Sequence, residues 1–326
     1  MLDPLQVENY SRDALGFNRA FGQAAHLLEK RADVVVRPIS VNEVVELVKF
    51  ANDYRIPLSP YGGGSGVMGS LVPVNGGIIV DLAKLNRILD ISPTNRSTTV
   101  ESGIVLQELS SSLETKGLIL GHDPWSVPIA TVGGAISTNG IGYRASKVGS
   151  MGDQVLGLEV VLPSGHILKT PNVPQVSSGP NLNHMFIGSE GVLGIITKAT
   201  LRIFRQPEER LFATFRFTTF EDGFNALVEI FTIDLHPAVI DLTEDFEGIH
   251  LYLILEGSKD EVVAQKRRAE HICQTFDGTH TGPTEAIIYW DTRYQVAETY
   301  KAHIRKVFAG EERRAPGRCF DYLHVA

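Results

Sequence analysis

A run of small, uncharged residues, Gly62-Gly63-Gly64-Ser65-Gly66, follows Pro60-Tyr61. Three successive glycines remove every Cβ from a turn and let main-chain N–H groups converge on an anion. The stretch before it, Ile56-Pro57-Leu58-Ser59-Pro60, reads as a short buried strand. The stretch Gly76-Gly77-Ile78-Ile79-Val80-Asp81-Leu82 after it reads as another. A glycine loop between strands is not a dinucleotide-binding turn, whose third glycine packs the following helix. Nor is it a P-loop, since no Gly-Lys-Ser/Thr follows. A strand–glycine loop–strand anion site remains, with a flexible turn as the alternative.

Two later stretches share this texture. From His122 to Tyr143 the chain is rich in glycine, proline and small side chains, with Asp123 as its one carboxylate. It is too broken for a helix at its start and too small-sided for an ordinary core strand, which suits a buried surface on which another molecule lies. The third stretch, Gly188 to Thr197, holds Glu190 between Ser189 and Gly191. An unpaired carboxylate is costly in a core, so Glu190 reads either as a solvated turn residue or as an acceptor for a ligand.

The elements around these loops follow from periodicity. Asp33 to Pro38 is β-branched and strand-like. Ser40 with Glu43 forms a capping box ahead of a helix whose buried face carries Val44, Val45, Leu47, Val48 and Ala51. Leu85–Ile91 and Thr98–Gly103 alternate as paired strands, and 105–116 is a second helix closed by Gly117. Val155–Leu162 and Ile167–Lys169 flank a turn at Pro163-Ser164-Gly165-His166 and read as a hairpin. Gln206-Pro207-Glu208-Glu209 marks a boundary. Beyond it the order strand, helix, strand, strand, helix predicts a small antiparallel sheet with helices on one face.

At 326 residues the chain has room for about two domains. Its net charge of −8 and pI near 5.7 argue against nucleic acid or an anionic membrane as the main partner. No apolar run reaches the ~20 residues a membrane span needs. Cys273 and Cys319 are too far apart in sequence for a metal cluster and read as free thiols of a reducing compartment. The expected location is cytoplasmic, and no metal site is expected. The run Phe320-Asp321-Tyr322-Leu323-His324-Val325-Ala326 alternates like a strand with no polar tail, which predicts that the chain is incomplete at its C-terminus.

Taken in order, Gly-Gly-Gly-Ser-Gly at 62–66, Ala-Thr-Val-Gly-Gly at 130–134 and Gly-Ser-Glu-Gly-Val-Leu-Gly-Ile-Ile-Thr at 188–197 resemble a known flavoprotein family. It is the family of vanillyl-alcohol oxidase and p-cresol methylhydroxylase. The resemblance implies an α+β fold: a two-subdomain FAD-binding domain at 30–206, after an N-terminal segment at 1–29. A partial ferredoxin-like cap or substrate domain follows at 207–326.

The resemblance also implies residue roles. Pro60, Tyr61, Gly62, Gly63, Gly64, Ser65 and Gly66 would hold the FAD pyrophosphate. Pro124, Ser126, Thr131, Val132, Gly133 and Gly134 would run along the pyrophosphate and ribityl chain. Thr138, Asn139, Gly140 and Tyr143 would continue toward the isoalloxazine. Glu190, Gly194, Ile195 and Ile196 would contact the ribityl and adenosine portions.

No histidine lies between Ile56 and Val80 and neither cysteine falls in 30–206. His122 and His184 read as packed or solvated, so the expected FAD is noncovalent. The implied activity is oxidation of a small 2-hydroxy acid, of the glycolate or D-lactate kind, by hydride transfer to flavin N5. The alternatives are an alkylglycerone-phosphate-synthase-like transferase and a fragment that binds FAD without turnover. The synthase reading is suggested by Gly121-His122-Asp123-Pro124, Ser177-Ser178-Gly179-Pro180-Asn181 and Ala238-Val239-Ile240-Asp241-Leu242. No catalytic base is assigned: His236, His250, His271, His280 and His303 lie in the cap portion without a supporting motif. The expected partner is the small substrate alone, with a homodimer allowed.

Overall fold

The computed structural model describes residue 7, residues 9–11, residues 30–246 and residues 248–308. Most of the expected N-terminal segment lies outside that range, as do the terminal strand expected at 320–326 and Cys319.

The first layer is a small parallel sheet of β1 (Val34–Val36), β2 (Leu58–Tyr61) and β3 (Ile78–Asp81) in the order β1-β3-β2. Helix α1 (Val41–Tyr54) begins at Ser40, whose side chain accepts the Glu43 N–H, and buries Val44, Val48 and Ala51. The Glu43 carboxylate reaches back to the N–H of Ile39, one residue beyond the cap position of a standard box. Parallel neighbours usually need a helical crossover, yet β2 returns to β3 through a loop that contains the glycine run.

The second layer is antiparallel. Strands β4 (Ile88–Ser92) and β5 (Ser97–Glu101) form the expected hairpin, and β7 (Val155–Val161) with β8 (Ile167–Lys169) forms another. The eleven-residue β9 (Ile195–Arg205) is the spine, pairing with β5, with β7 and, at its far end, with β6 (Leu118–Leu120). Helix α2 (Leu106–Glu114) seats Leu106, Leu109 and Leu113 in the same core as Val100, Leu158, Val160, Ala199 and Leu201.

A six-residue helix, α3 (Val132–Ser137), lies within the glycine-rich ribbon. Thr131 caps it by accepting the Gly134 N–H at 3.3 Å. Val-Gly-Gly-Ala-Ile-Ser carries no amphipathic period, so this helix leaves no trace in hydrophobic spacing. The one-turn helices α4 (Ala145–Val148) and α5 (Asn183–Phe186) complete the region.

Beyond Gln206 the chain builds a second antiparallel sheet, the cap sheet, in the order β11-β12-β10-β13, from β10 (Glu209–Phe217), β11 (Val239–Asp245), β12 (Gly248–Gly257) and β13 (Thr279–Gly282). Helices α6 (Phe220–Thr232) and α7 (Lys259–Thr275) cover one face through Phe215, Ile230, Leu253 and Ile272. Helix α8 (Thr284–Thr292) lies on the other face, packing Trp290 on Val239 and Ile254, and α9 (Gln295–Phe308) follows it. The two helices expected from the sequence thus share one face, and α8, which the sequence reading did not place, covers the other. α8 fills the gap between the sheet and the rest of the molecule, where Tyr143 also packs. Among the described residues no helix is long and apolar enough to cross a membrane.

Candidate functional site

A cleft of about 330 Å³ opens where the loop after β2 meets the ribbon at 122–141 and the turn ahead of β9. All three glycine-rich stretches, far apart in sequence, form its walls.

The glycine loop lies directly on the ribbon. A Cβ at Gly63 would stand 1.9 Å from the carbonyl oxygen of Ile129, and one at Gly62 would stand 2.5 Å from the Thr131 hydroxyl. Gly64 adopts φ +65° with the Tyr61 ring against it. The missing side chains thus serve the contact between two loops. The N–H groups of Gly62, Gly63, Gly64, Ser65 and Gly66 donate to no protein acceptor among the described residues. No lysine or arginine lines the cleft among those residues either. Such a nest of unpaired main-chain donors takes an anion by dipoles alone.

Most of the expected site residues meet here. Pro60 to Gly66, Pro124, Ser126, Thr131, Gly133, Gly134, Thr138, Gly140, Glu190, Gly194, Ile195 and Ile196 all line the cleft. Three do not. Val132, the first residue of α3, is fully buried in the core. Asn139 turns away at φ +47° and accepts the Gly152 N–H at 2.9 Å. Tyr143 points into the seam with the second sheet, its hydroxyl donating to the Arg293 carbonyl at 3.3 Å. Glu190 is exposed at the rim with φ +50°, its N–H donating to the Ser137 carbonyl.

Two cleft residues carry buried polar atoms without a partner: the Ser102 hydroxyl and His122 Nδ1. Burial drives the His122 imidazole down to about 4, so at neutral pH it is uncharged. Sequence reasoning took His122 as packed or solvated and passed over Ser102, which follows β5 with no motif to mark it. His184, by contrast, is exposed.

Behind the cleft wall lies a charged seam. Asp123, between the lining residues His122 and Pro124, accepts from Arg144 Nη1 at 2.7 Å. Arg144 Nε also pairs with Glu256 at 2.9 Å, and Arg210 Nη2 meets the same carboxylate at 2.7 Å. Arg293 approaches Asp123 at 3.4 Å, and the Tyr294 hydroxyl donates to it. The Trp290 ring lies under all three guanidiniums, with Arg293 3.5 Å from its centroid. Burial pushes the Asp123 carboxyl up against the pull of Arg144 and Arg293. Glu256 is also buried, but bonds and charge from Arg144 and Arg210 hold its carboxyl below the ordinary range.

Residues 32–171, which contain the first two glycine-rich stretches, match the FAD binding domain family. The chain carries a domain of this FAD-binding family. It is 35% identical to D-lactate dehydrogenase of Anaerostipes hadrus over 79% of this chain and 54% of that protein. It is 36% identical to alkyldihydroxyacetonephosphate synthase of Caenorhabditis elegans over 65% of this chain and 36% of that protein. A solved structure of an alkyldihydroxyacetonephosphate synthase superposes with a TM-score of 0.78 at 24% identity, over 93% of this chain and 61% of the other. The flavoprotein thus shares the α+β fold of that synthase, and its cofactor is FAD. It spans about half the length of the curated relatives it matches. The cleft fits the cofactor, with unpaired amides for a diphosphate and orphaned polar atoms at Ser102 and His122 for further hydrogen bonds.

Proposed function

We infer that this flavoprotein is an FAD-dependent oxidoreductase that oxidises a small 2-hydroxy acid. The observation that carries the reading is the uncharged cleft with five unpaired main-chain donors. The likeness to a D-lactate dehydrogenase over most of the chain supports it. In this reading residues 30–206 form the FAD-binding domain and 207–326 part of the substrate cap.

The amides of Gly62 to Gly66 hold the diphosphate, whose approach the bare backbone permits. Thr131, Gly133 and Gly134 at the start of α3, with Pro124 and Ser126, support the middle of the cofactor. Thr138 and Gly140 continue along the ribbon, while Glu190 and the backbone of 194–196 close the opposite side. Bound FAD supplies the two-electron acceptor, a hydride acceptor at flavin N5, for the substrate C–H bond. His122, neutral and with a free Nδ1, offers a hydrogen bond at the cleft wall without adding charge. Among the described residues no histidine of the second sheet lines the cleft, so the proton acceptor is not assigned to any of them.

The FAD is held noncovalently in this reading, the setting is cytoplasmic, and the partner is the hydroxy acid. The test is the visible spectrum of the purified chain before and after acid precipitation, then anaerobic addition of D-lactate or glycolate. Flavin bands in the acid supernatant and bleaching by one of the acids are expected. A flavin that no 2-hydroxy acid bleaches overturns the oxidoreductase reading. The match to alkyldihydroxyacetonephosphate synthase favours a second reading, exchange of an acyl for an alkyl chain without net redox. That reading predicts fatty-acid release from an acyl dihydroxyacetone phosphate and no bleaching by hydroxy acids.

A further inference from the structure

The cap sheet touches the cleft through one narrow set of residues. Gly142 lies so close to Asp123 that a Cβ there would fall 2.7 Å from the Asp123 nitrogen, and the Tyr143 N–H donates to the Asp123 carbonyl at 2.8 Å. Segments 122–124 and 142–144 therefore pack directly on each other. The cleft side of this pair carries His122 and Pro124. Its other side carries Tyr143 and Arg144, both engaged with the second sheet and its helix. Tyr143 meets the Tyr289 ring edge-on at 5.9 Å, while Arg144 spans from Asp123 to Glu256 at the end of β12.

We propose that Arg144 is a positioning residue: braced between Asp123 and Glu256, it sets the His122–Pro124 wall of the cofactor cleft by the position of the cap sheet. The proposal rests on the reading of the cleft as the FAD site. Arg144 is 8% exposed and its partners less so. A buried ionic bridge seldom adds net stability over an apolar replacement, because desolvation cancels its attraction. What such a bridge does supply is direction, since the guanidinium fork fixes both carboxylates in its plane. Here the fork joins the glycine-rich ribbon to β12 of the cap sheet, and Arg293, the Tyr294 hydroxyl and the Tyr143 hydroxyl add polar contacts with the segment after α8 in the same seam.

The test compares Glu256→Gln with Arg210→Met in the full chain. Glu256→Gln is isosteric and removes the charge that braces Arg144 from the cap. Arg210 joins the same carboxylate and the same Trp290 face but is not bonded to Asp123 in the seam. Apoprotein is titrated with FAD by flavin fluorescence, and visible circular dichroism of the bound flavin is recorded beside the thermal midpoint. For Glu256→Gln, FAD affinity is expected to fall on the order of tenfold with a changed flavin dichroism. For Arg210→Met, the midpoint is expected to fall while affinity and dichroism stay at parental values. Arg144→Met, where it folds, is expected to behave as Glu256→Gln does. Parental affinity and dichroism in Glu256→Gln overturn the proposal, whatever the midpoint. A parent chain that takes up no FAD overturns the cleft reading itself, and the proposal with it.

Discussion

The cleft and the seam share one ribbon, residues 122–144, and use opposite chemistry on its two sides. The cleft side is made of glycine, small side chains and unpaired main-chain N–H groups, with no lysine or arginine among the described residues. The seam side gathers three guanidiniums, two carboxylates and a tryptophan face in a buried cluster. A large, flexible anionic ligand needs close approach more than charge, and backbone dipoles provide that where side chains would obstruct. A joint between two sheets needs fixed direction, which bidentate arginine supplies. The same short segment can serve both because its side chains at Asp123 and Arg144 point away from the ligand side.

The sharpest break of the cleft alone is Gly63→Ala. Its Cβ would meet the Ile129 carbonyl at 1.9 Å, so the glycine loop must leave the ribbon. Overpacking costs on the order of 1–3 kcal/mol, and here the displaced atoms are the amides to which the proposed reading gives the diphosphate. Loss of FAD uptake in a reconstitution assay is the expected result, with the second sheet still folded by circular dichroism. Retained uptake would show that the loop contact is dispensable.

Breaking the seam alone calls for Trp290→Ala. Removing a buried tryptophan costs about 3–5 kcal/mol, and it also strips the aromatic face from Arg144, Arg210 and Arg293. The urea midpoint should drop accordingly, and a drop no larger than that of a surface substitution would refute the packed role of the ring.

A third change sharpens the comparison through pH. The folded chain holds His122 at about 4, below the 6.5 of an ordinary histidine. The unfolded chain therefore takes up the proton first, and stability present above pH 6.5 is lost as the pH falls toward 4. The full effect is on the order of 3 kcal/mol. His122→Gln should flatten that acid limb in denaturant titrations of apoprotein between pH 7.5 and 4.5. An unchanged slope would place the acid sensitivity of that range elsewhere, and the seam carboxylate Glu256 responds only at lower pH. Its lowered pKa gives stability that is full above the ordinary carboxylate value of 4.5 and lost below it.

Much of the cleft was legible before the structure, because its signal is local. Three glycine-rich stretches in a fixed order announced a surface for close approach, and strand periodicity placed β4, β5 and β7 around them. What was not legible was relational. Asp123, Arg144 and Glu256 form one cluster across 133 residues of chain (from 123 to 256), and no spacing within any one element marks them. Tyr143 followed the glycine ribbon and was read with it, although one residue of further turn sends its ring to the cap. Helix α3 was hidden because Val132–Ser137 is buried by its neighbours on several sides and needs no apolar stripe. Ser102 gave no sign, since a lone serine after a strand is ordinary and only its unpartnered burial singles it out.

The absence of lysine and arginine from the described cleft lining has a practical side. A diphosphate held by neutral dipoles has no side-chain ion pairs for added salt to screen. On the proposed reading of the cleft, high ionic strength, the usual first choice for stripping a charged ligand, therefore has little purchase on the bound flavin. Acid reaches further, because it charges the His122 imidazole in the cleft wall. The route to apoprotein thus runs through low pH, and a column washed in strong salt keeps its yellow colour.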